Sequence, residues 1–159
     1  MMSEPAGIEL TATQAELRAD RTPFVPPWAP VFGHAPAKVG VYLGAVRVIG
    51  QLAFEIVDAL LVATGNAPGA IVGDPGPYGV VHFLTEPGAG TGLRWPPGVK
   101  RLDGRAGDFV KVPAWSGNTA PVSWLARPAR DSVFVDAQVL HRVACAVTRY
   151  GVLRTDEQA

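Results

Sequence analysis

The stretch VGVYLGAVRVIGQLAFEIVDALLVA, residues 39–63, decides the fold. Its Val-rich first part, 39–48, predicts a strand. A helix is expected to follow directly, over 50–63, because apolar residues recur around most of its surface and polar ones form a single stripe. That stripe consists of Gln51, Glu55 and Asp58 at i, i+4 and i+7, and we interpret it as the wet face of the helix. A sheet covered by a helix is therefore the starting expectation.

Four more strands and a second helix are predicted downstream. The first two strands form a hairpin around GDPGPY, a long Gly/Pro loop follows, and the last two strands flank the turn WSGNTA. The helix shows apolar residues at i, i+3 and i+4 and is expected to end at Gly151. The ranges are 69–72 and 79–84, then 108–113 and 121–126, and finally 134–149. This order predicts an α+β fold with a mostly antiparallel sheet and two main helices.

The N-terminal segment 1–37 is expected to be extended and partly helical. Thr13 to Glu16 fits a capping box, whereas residues 22–37 carry five prolines, which disfavour a helix. Phe24, Trp28 and Phe32 are expected to fasten this extended part onto the core. The remaining chain is predicted to form a single domain, 38–154, with a short tail, 155–159.

The composition limits the class of protein. The chain has 159 residues, 48% of them hydrophobic, and equal numbers of basic and acidic side chains (14 each), which argues against disorder. Its 18 Gly and 15 Pro favour short strands and turns. A single cysteine, Cys145, excludes an internal disulfide framework, and we expect a packed, inert thiol. Without a long apolar run or a signal-peptide pattern, we expect a cytoplasmic protein with no membrane contact.

Zero net charge conceals an asymmetry along the chain. Residues 1–86 carry 4 basic and 8 acidic side chains, whereas residues 87–154 carry 10 basic and 4 acidic ones. A basic half can attract phosphates or an acidic partner. The alternative is that these cations are solvated or paired with the acidic half.

Two candidate sites stand out, and each has an ordinary structural alternative. His82 lies inside a predicted strand, on the face opposite Val81 and Phe83, where a rigid imidazole suits acid/base work or a phosphate contact; a hydrogen-bonded surface histidine is the alternative. The second site is the densest polar cluster, whose cations beside indole rings suit a nucleotide or a single strand; a polar loop fixed by two tryptophans is the alternative. The cluster contains Arg94, Lys100, Arg101, Asp103, Arg105, Asp108 and Lys111, with Trp95 and Trp115 nearby.

Short motifs between Gly79 and Arg127 carry a family resemblance. A glycine precedes the strand Val80-Val81-His82-Phe83, and an Asp-x-Arg turn, Asp103-Gly104-Arg105, precedes Gly107 and a valine strand that ends in proline. A Gly-containing hairpin and a Trp strand follow. In this order the motifs resemble the second half of the bifunctional DNA primase/polymerase N-terminal domain, a branch of the archaeo-eukaryotic primase superfamily. The resemblance covers about a third of the chain, and the sequence is most similar to compact relatives with eroded motifs.

The resemblance implies a primase/polymerase-like fold and specific roles. His82 would contact the incoming nucleotide, Asp103 would bind a divalent metal, and Arg105 would lie near the phosphates. In active members, two further carboxylates on an early strand complete a magnesium or manganese site. Here the early strand contains no Asp or Glu. One aspartate does not hold two hard cations, which need several oxygen ligands.

The sequence therefore predicts a primase/polymerase-like domain without catalysis and without a cofactor. It would bind a nucleotide, a nucleic acid or a protein partner, through His82, Arg105 and Lys111 with Arg101 and Trp115. One alternative is residual metal-dependent nucleotidyl transfer that uses Asp74, Asp103 and Asp108 with Mg²⁺ or Mn²⁺. Another is a protein-interaction or self-association module that uses the Pro/Trp-rich N-terminal segment.

Overall fold

A computed structural model describes residues 24–76 and 79–158. The predicted capping box at Thr13 to Glu16 lies outside the described residues. The strands are β1 (His34–Lys38), β2 (Gly44–Ile49), β3 (Ile71–Asp74), β4 (Val80–Thr85), β5 (Val99–Arg101), β6 (Phe109–Pro113) and β7 (Ser123–Ala126). The helices are α1 (Gln51–Ala63) and α2 (Ala137–Gln158), and a short 3-10 helix (Gly104–Ala106) precedes β6.

The strands form two antiparallel sheets, which confirms the α+β class and corrects the expectation of one sheet. The larger sheet has the order β5-β2-β4-β3-β7, and the smaller one pairs β1 with β6. The predicted strands at 108–113 and 121–126 therefore belong to different sheets. The chain between β6 and β7 is not a tight turn, because its two end residues, Ala114 and Val122, are both buried in the protein. Trp124 fixes its path, since the indole Nε1 donates to the Ala114 carbonyl at 3.1 Å.

Both helices cover one face of the larger sheet. Alternate strand residues point to this face, as the period of two requires. They include Val46 and Val48 on β2 and Val81 and Phe83 on β4, and all four are fully or almost fully buried. The helices contribute Ile56, Leu60, Leu140 and Ala144 to the same core.

The smaller sheet covers only half of the other face. Ala45, Val72 and Leu84 pack there against Val110 and Val112 of β6 in a second apolar core. Farther along β2 and β4, Arg47, Ile49, Val80 and His82 line an open space together with residues of β6. The uncovered half forms a cleft between the two sheets.

The proline-rich segment contributes β1, which was predicted only as an extended chain. The boundary expected between 37 and 38 falls within this strand. Pro36 is tolerated because β1 pairs only with β6, which leaves the other edge of β1 open. A proline on that edge lacks an N–H group but removes no hydrogen bond between the strands. Trp28 stacks on Phe134 with ring centroids 5.7 Å apart, as expected of an anchor. The same expectation for Phe32 is wrong, because its side chain is 85% exposed.

Several element boundaries differ from prediction by one or two residues, and three differ by more. Strand β2, which was predicted to begin at residue 39, begins at Gly44. The residues before it form a turn, in which the Gly40 N–H donates to the Leu43 carbonyl at 2.7 Å. The final helix starts later, since Asp136 caps it by accepting the N–H groups of Gln138 and Val139 at 2.8 and 3.2 Å. It also runs past Gly151 to Gln158, through most of the predicted tail.

Within the described ranges, neither helix combines the length and apolarity needed to cross a lipid bilayer.

Candidate functional site

The cleft between the two sheets contains the main cluster of polar side chains on a strand framework. Its volume is about 240 Å³. Strands from both sheets line it: Arg47 and Ile49 from β2, Asp74 from β3, Val80 and His82 from β4, and Phe109 and Lys111 from β6, with Val122 at one side. Three basic or imidazole groups, one carboxylate and one aromatic ring thus face a single space.

The register of the larger sheet determines which of these side chains are neighbours. Arg47 on β2 lies directly opposite His82 on β4, and His82 lies opposite Val72 on β3. Two residues farther along, Val80 lies opposite Asp74. Side chains that are directly opposite on antiparallel strands have Cβ atoms about 5 Å apart. The guanidinium and the imidazole are therefore immediate neighbours, and Asp74 lies diagonally across from His82.

His82 is held in its neutral form. Burial and the positive charge of Arg47 lower its pKa from 6.5 to about 4, while the charge of Asp74 opposes the shift. Desolvation has this effect because it disfavours the charged imidazolium. A neutral imidazole has one N–H donor and one acceptor nitrogen, so at pH 7 His82 offers one hydrogen bond of each kind.

Arg47 is half-buried and makes no hydrogen bond or ion pair with another described residue. A guanidinium withdrawn from water without a partner is costly, and proteins usually pair it. Its five N–H donors remain available to an anion in the cleft. Among the described residues, Arg47 is thus a half-buried cation without a hydrogen-bonding partner.

Groups of both charges line the cleft. Lys111 is exposed at the cleft and adds a second full positive charge. Asp74 is half-buried, and its Oδ1 accepts only a long hydrogen bond, 3.4 Å, from the Gly76 N–H among described residues. Asp74 lies two strand spacings across the sheet from Arg47 and two residues along it, which places their Cα atoms about 12 Å apart.

Two residues of the predicted nucleotide-binding set, His82 and Lys111, meet in this cleft, together with Asp74 of the alternative metal-binding set. Asp103 and Arg105 do not: Asp103 is exposed and caps the 3-10 helix by accepting the Arg105 N–H at 2.9 Å. Arg101 shares the helix-covered face with Val99, and its Nε donates to the Ala89 carbonyl at 2.8 Å. The cluster around Asp103 is thus dense in sequence and dispersed in space.

The two tryptophans of that cluster also lie away from the cleft. Trp115 packs beside Trp124, and the guanidinium of Arg127 lies over its ring, 5.0 Å from the centroid. Trp95 packs against the helix-side core and meets His141 edge-on, with ring centroids 5.2 Å apart. Both indoles have packing roles.

The residues present do not fit a pair of divalent metal ions. Asp103 and Asp108 are neighbours, since the Asp103 N–H donates to Asp108 Oδ2 at 3.2 Å, but Asp74 lines the separate cleft. Among the described residues, His, Cys, Asp and Glu form no group of three that could hold a metal. On the early strand, β2 brings the cation Arg47 beside His82 where the resemblance implies carboxylates.

Other polar features have local explanations. Glu55 and Asp58 are exposed on α1, as expected of a wet face. Cys145 is half-buried, with its Sγ 3.6 Å from His141 Nε2. A larger cavity, about 650 Å³, lies at the start of α2, where Asp136 already satisfies the free N–H groups.

Sequence reasoning missed Arg47. One signal was available, because Arg47 is the single charged residue in the apolar strand VGVYLGAVRV. Such a residue must lie at an edge or face a polar space. Its pairing with His82 depends on a register that joins strands about 35 residues apart, and no local pattern shows it.

No family model, curated protein or solved structure matches this chain. The primase/polymerase resemblance therefore stays a prediction.

Proposed function

We propose that the cleft between the two sheets binds a nucleotide, free or as one unit of a single-stranded nucleic acid, and that it does so without catalysing nucleotidyl transfer. The observation that carries this proposal is the half-buried guanidinium of Arg47, which has no hydrogen-bonding partner among the described residues and lies directly opposite a neutral His82.

The cations of the cleft suit a phosphate group. Arg47 can donate two parallel N–H bonds to one phosphate, and Lys111 adds a point charge. The neutral imidazole of His82 adds one N–H donor without having to be protonated. Charge-assisted hydrogen bonds of this kind are stronger than neutral ones, especially where water is partly excluded.

The apolar side of the cleft suits a base. Phe109 lines the cleft and is 58% exposed, so its ring is accessible to a ligand there. Aromatic rings in nucleic-acid-binding sites stack on bases of any sequence. The cleft volume of about 240 Å³ matches one nucleotide unit better than a dinucleotide cofactor.

The absence of catalysis is proposed from the charge of the site. Nucleotidyl transfer needs carboxylates that hold divalent cations next to the phosphates. Here the neighbour of His82 is itself a cation, which repels a metal ion and replaces part of its charge. The proposal thus keeps the nucleotide contact that the resemblance implies for His82 and assigns the phosphate to Arg47 instead of to a metal ion and Arg105.

The proposal is tested by titrating the full chain with nucleoside 5′-monophosphates and with short single-stranded DNA, in EDTA, at low and moderate salt. We expect salt-sensitive binding that persists without metal. Arg47→Gln should weaken it at least about tenfold, as expected for a lost charge-assisted bond. Arg105→Gln is the matched control, because that exposed side chain lies outside the cleft, and it should bind normally. Absence of binding, or equal losses in both variants, would contradict the proposal.

A further inference from the structure

We infer that Asp74 makes the cleft selective for guanine, by accepting hydrogen bonds from the Watson–Crick edge of the base while Arg47 and Lys111 hold the phosphate. This inference rests on the proposed function and adds the identity of the base.

The carboxylate is placed to receive donors and not phosphate. It lines the same cavity as Arg47, His82 and Lys111, and its negative charge repels an anion at its end. Its Oδ2 accepts no hydrogen bond from another described residue. A carboxylate is an acceptor on both oxygens, so the ligand group beside Asp74 must offer N–H or O–H donors.

Two parts of a nucleotide offer a pair of adjacent donors, the ribose 2′,3′-diol and the guanine edge. The span of the cleft favours the base, because two strand spacings and an offset of two residues separate the Cα atoms of Arg47 and Asp74 by about 12 Å. The ribose hydroxyls lie close to their own 5′-phosphate, whereas the Watson–Crick edge lies at the far end of the nucleotide.

Among the common bases, guanine alone presents two neighbouring donors, N1–H and the N2 amino group. Both oxygens of one carboxylate can accept them side by side. Adenine and cytosine offer one amino group with an acceptor nitrogen beside it, and uracil offers one N–H between two carbonyls, which a carboxylate repels. Phe109, at the same cleft, provides a ring for the purine to stack on.

Calorimetric titration of the full chain with 5′-monophosphates tests the inference. We expect GMP to bind about tenfold more tightly than IMP, AMP, CMP or UMP, since a paired base edge contributes discrimination of that order. IMP differs from GMP only in lacking the N2 amino group. The deoxy form, dGMP, should bind like GMP.

The variant Asp74→Asn reverses the pattern if the inference is correct. An amide replaces one acceptor by a donor, so GMP should lose its advantage. XMP, which carries a carbonyl at position 2 in place of the amino group, should gain affinity. Circular dichroism controls for folding, and binding of ribose 5-phosphate, which has no base, controls for the phosphate site.

Three results would overturn the inference. If all bases bind equally, the phosphate site is retained, but Asp74 does not discriminate between bases. If dGMP binds more weakly than GMP while the bases bind equally, the carboxylate receives the ribose diol instead. If no monophosphate binds at all, the proposed function fails together with this inference.

Discussion

Arg47 and His82 lie directly opposite each other on adjacent antiparallel strands, on the half of the sheet face that the β1–β6 sheet leaves uncovered. The pair combines a fixed positive charge with an imidazole whose own protonation is suppressed. The proposed function therefore requires neither a protonated histidine nor a metal ion for anion binding at neutral pH.

Acidification should destabilise the protein through His82. Its pKa is about 4 in the folded chain and 6.5 ordinarily, so the unfolded state binds more protons between these values. Stability is therefore fully present above pH 6.5 and is lost as the pH falls through about 4. Between pH 7 and pH 4.5 we expect this group to remove about 2 kcal/mol from the free energy of unfolding.

Urea unfolding of the wild type and of His82→Gln, at both pH values, measures this contribution. Glutamine keeps a donor and an acceptor but does not titrate in this range. The wild type should lose about 2 kcal/mol more than the variant on acidification. Equal losses would show that His82 is not protected from protonation.

Removal of the Phe109 ring should lower the affinity for nucleotide more than it lowers the free energy of unfolding. Its ring is 58% exposed, so Phe109→Ala should change stability little, whereas loss of stacking costs about 1–3 kcal/mol of binding energy. Phe32→Ala is a matched control, since Phe32 is 85% exposed and does not line the cleft. Calorimetry gives the affinities, and normal binding by Phe109→Ala would rule out a stacked base.

Replacement of Asp103 should have only a local structural effect. Asp103→Ala removes the acceptor that caps the 3-10 helix and should cost about 1 kcal/mol of stability, whereas Asp103→Asn keeps an acceptor and should cost less. Neither change should alter nucleotide affinity. A manganese-dependent primer-extension assay on the wild type and on Asp103→Asn tests the alternative, in which Asp103 binds a metal. Activity that is present in the wild type and lost in the variant would make Asp103 a metal ligand and contradict a purely structural role.

The packing of the β3 strand against the start of α2 depends on Gly69. Its φ is 99°, and a Cβ there would collide with the backbone of Phe134 and Val135. Gly69→Ala should therefore lower the melting temperature sharply or prevent folding. Gly117→Ala shares a positive φ, 85°, but meets open space, so it should cost only about 1 kcal/mol. Similar stability of the two variants would contradict the packing described.

Periodicity in the sequence predicted the α+β class, helix α1 and the β3–β4 hairpin, because each depends on residues close together in the chain. It also placed His82 on the face opposite Val81, as the structure shows. The second sheet could not be predicted in this way. Pro36 made β1 look merely extended, and the three-residue β5 is too short for a pattern.

The site was harder to predict than the fold, because it depends on long-range register. Basic residues around Asp103 are close in sequence, but they point in different directions once β5 and the 3-10 helix form. Arg47 and Lys111 are 64 positions apart and still line one cleft. Local composition pointed to the basic half of the chain, 87–154, whereas Arg47, Asp74 and His82 of the cleft belong to the acidic first half.

The most direct test of the central claim is the map of backbone amide shifts of the ¹⁵N-labelled chain during titration with GMP in EDTA. The account predicts that the largest changes fall on β2, β4 and β6 around Arg47, His82 and Lys111, and that Arg47→Gln removes them. Changes centred on Asp103 and Arg105, or no change at millimolar nucleotide, would contradict it.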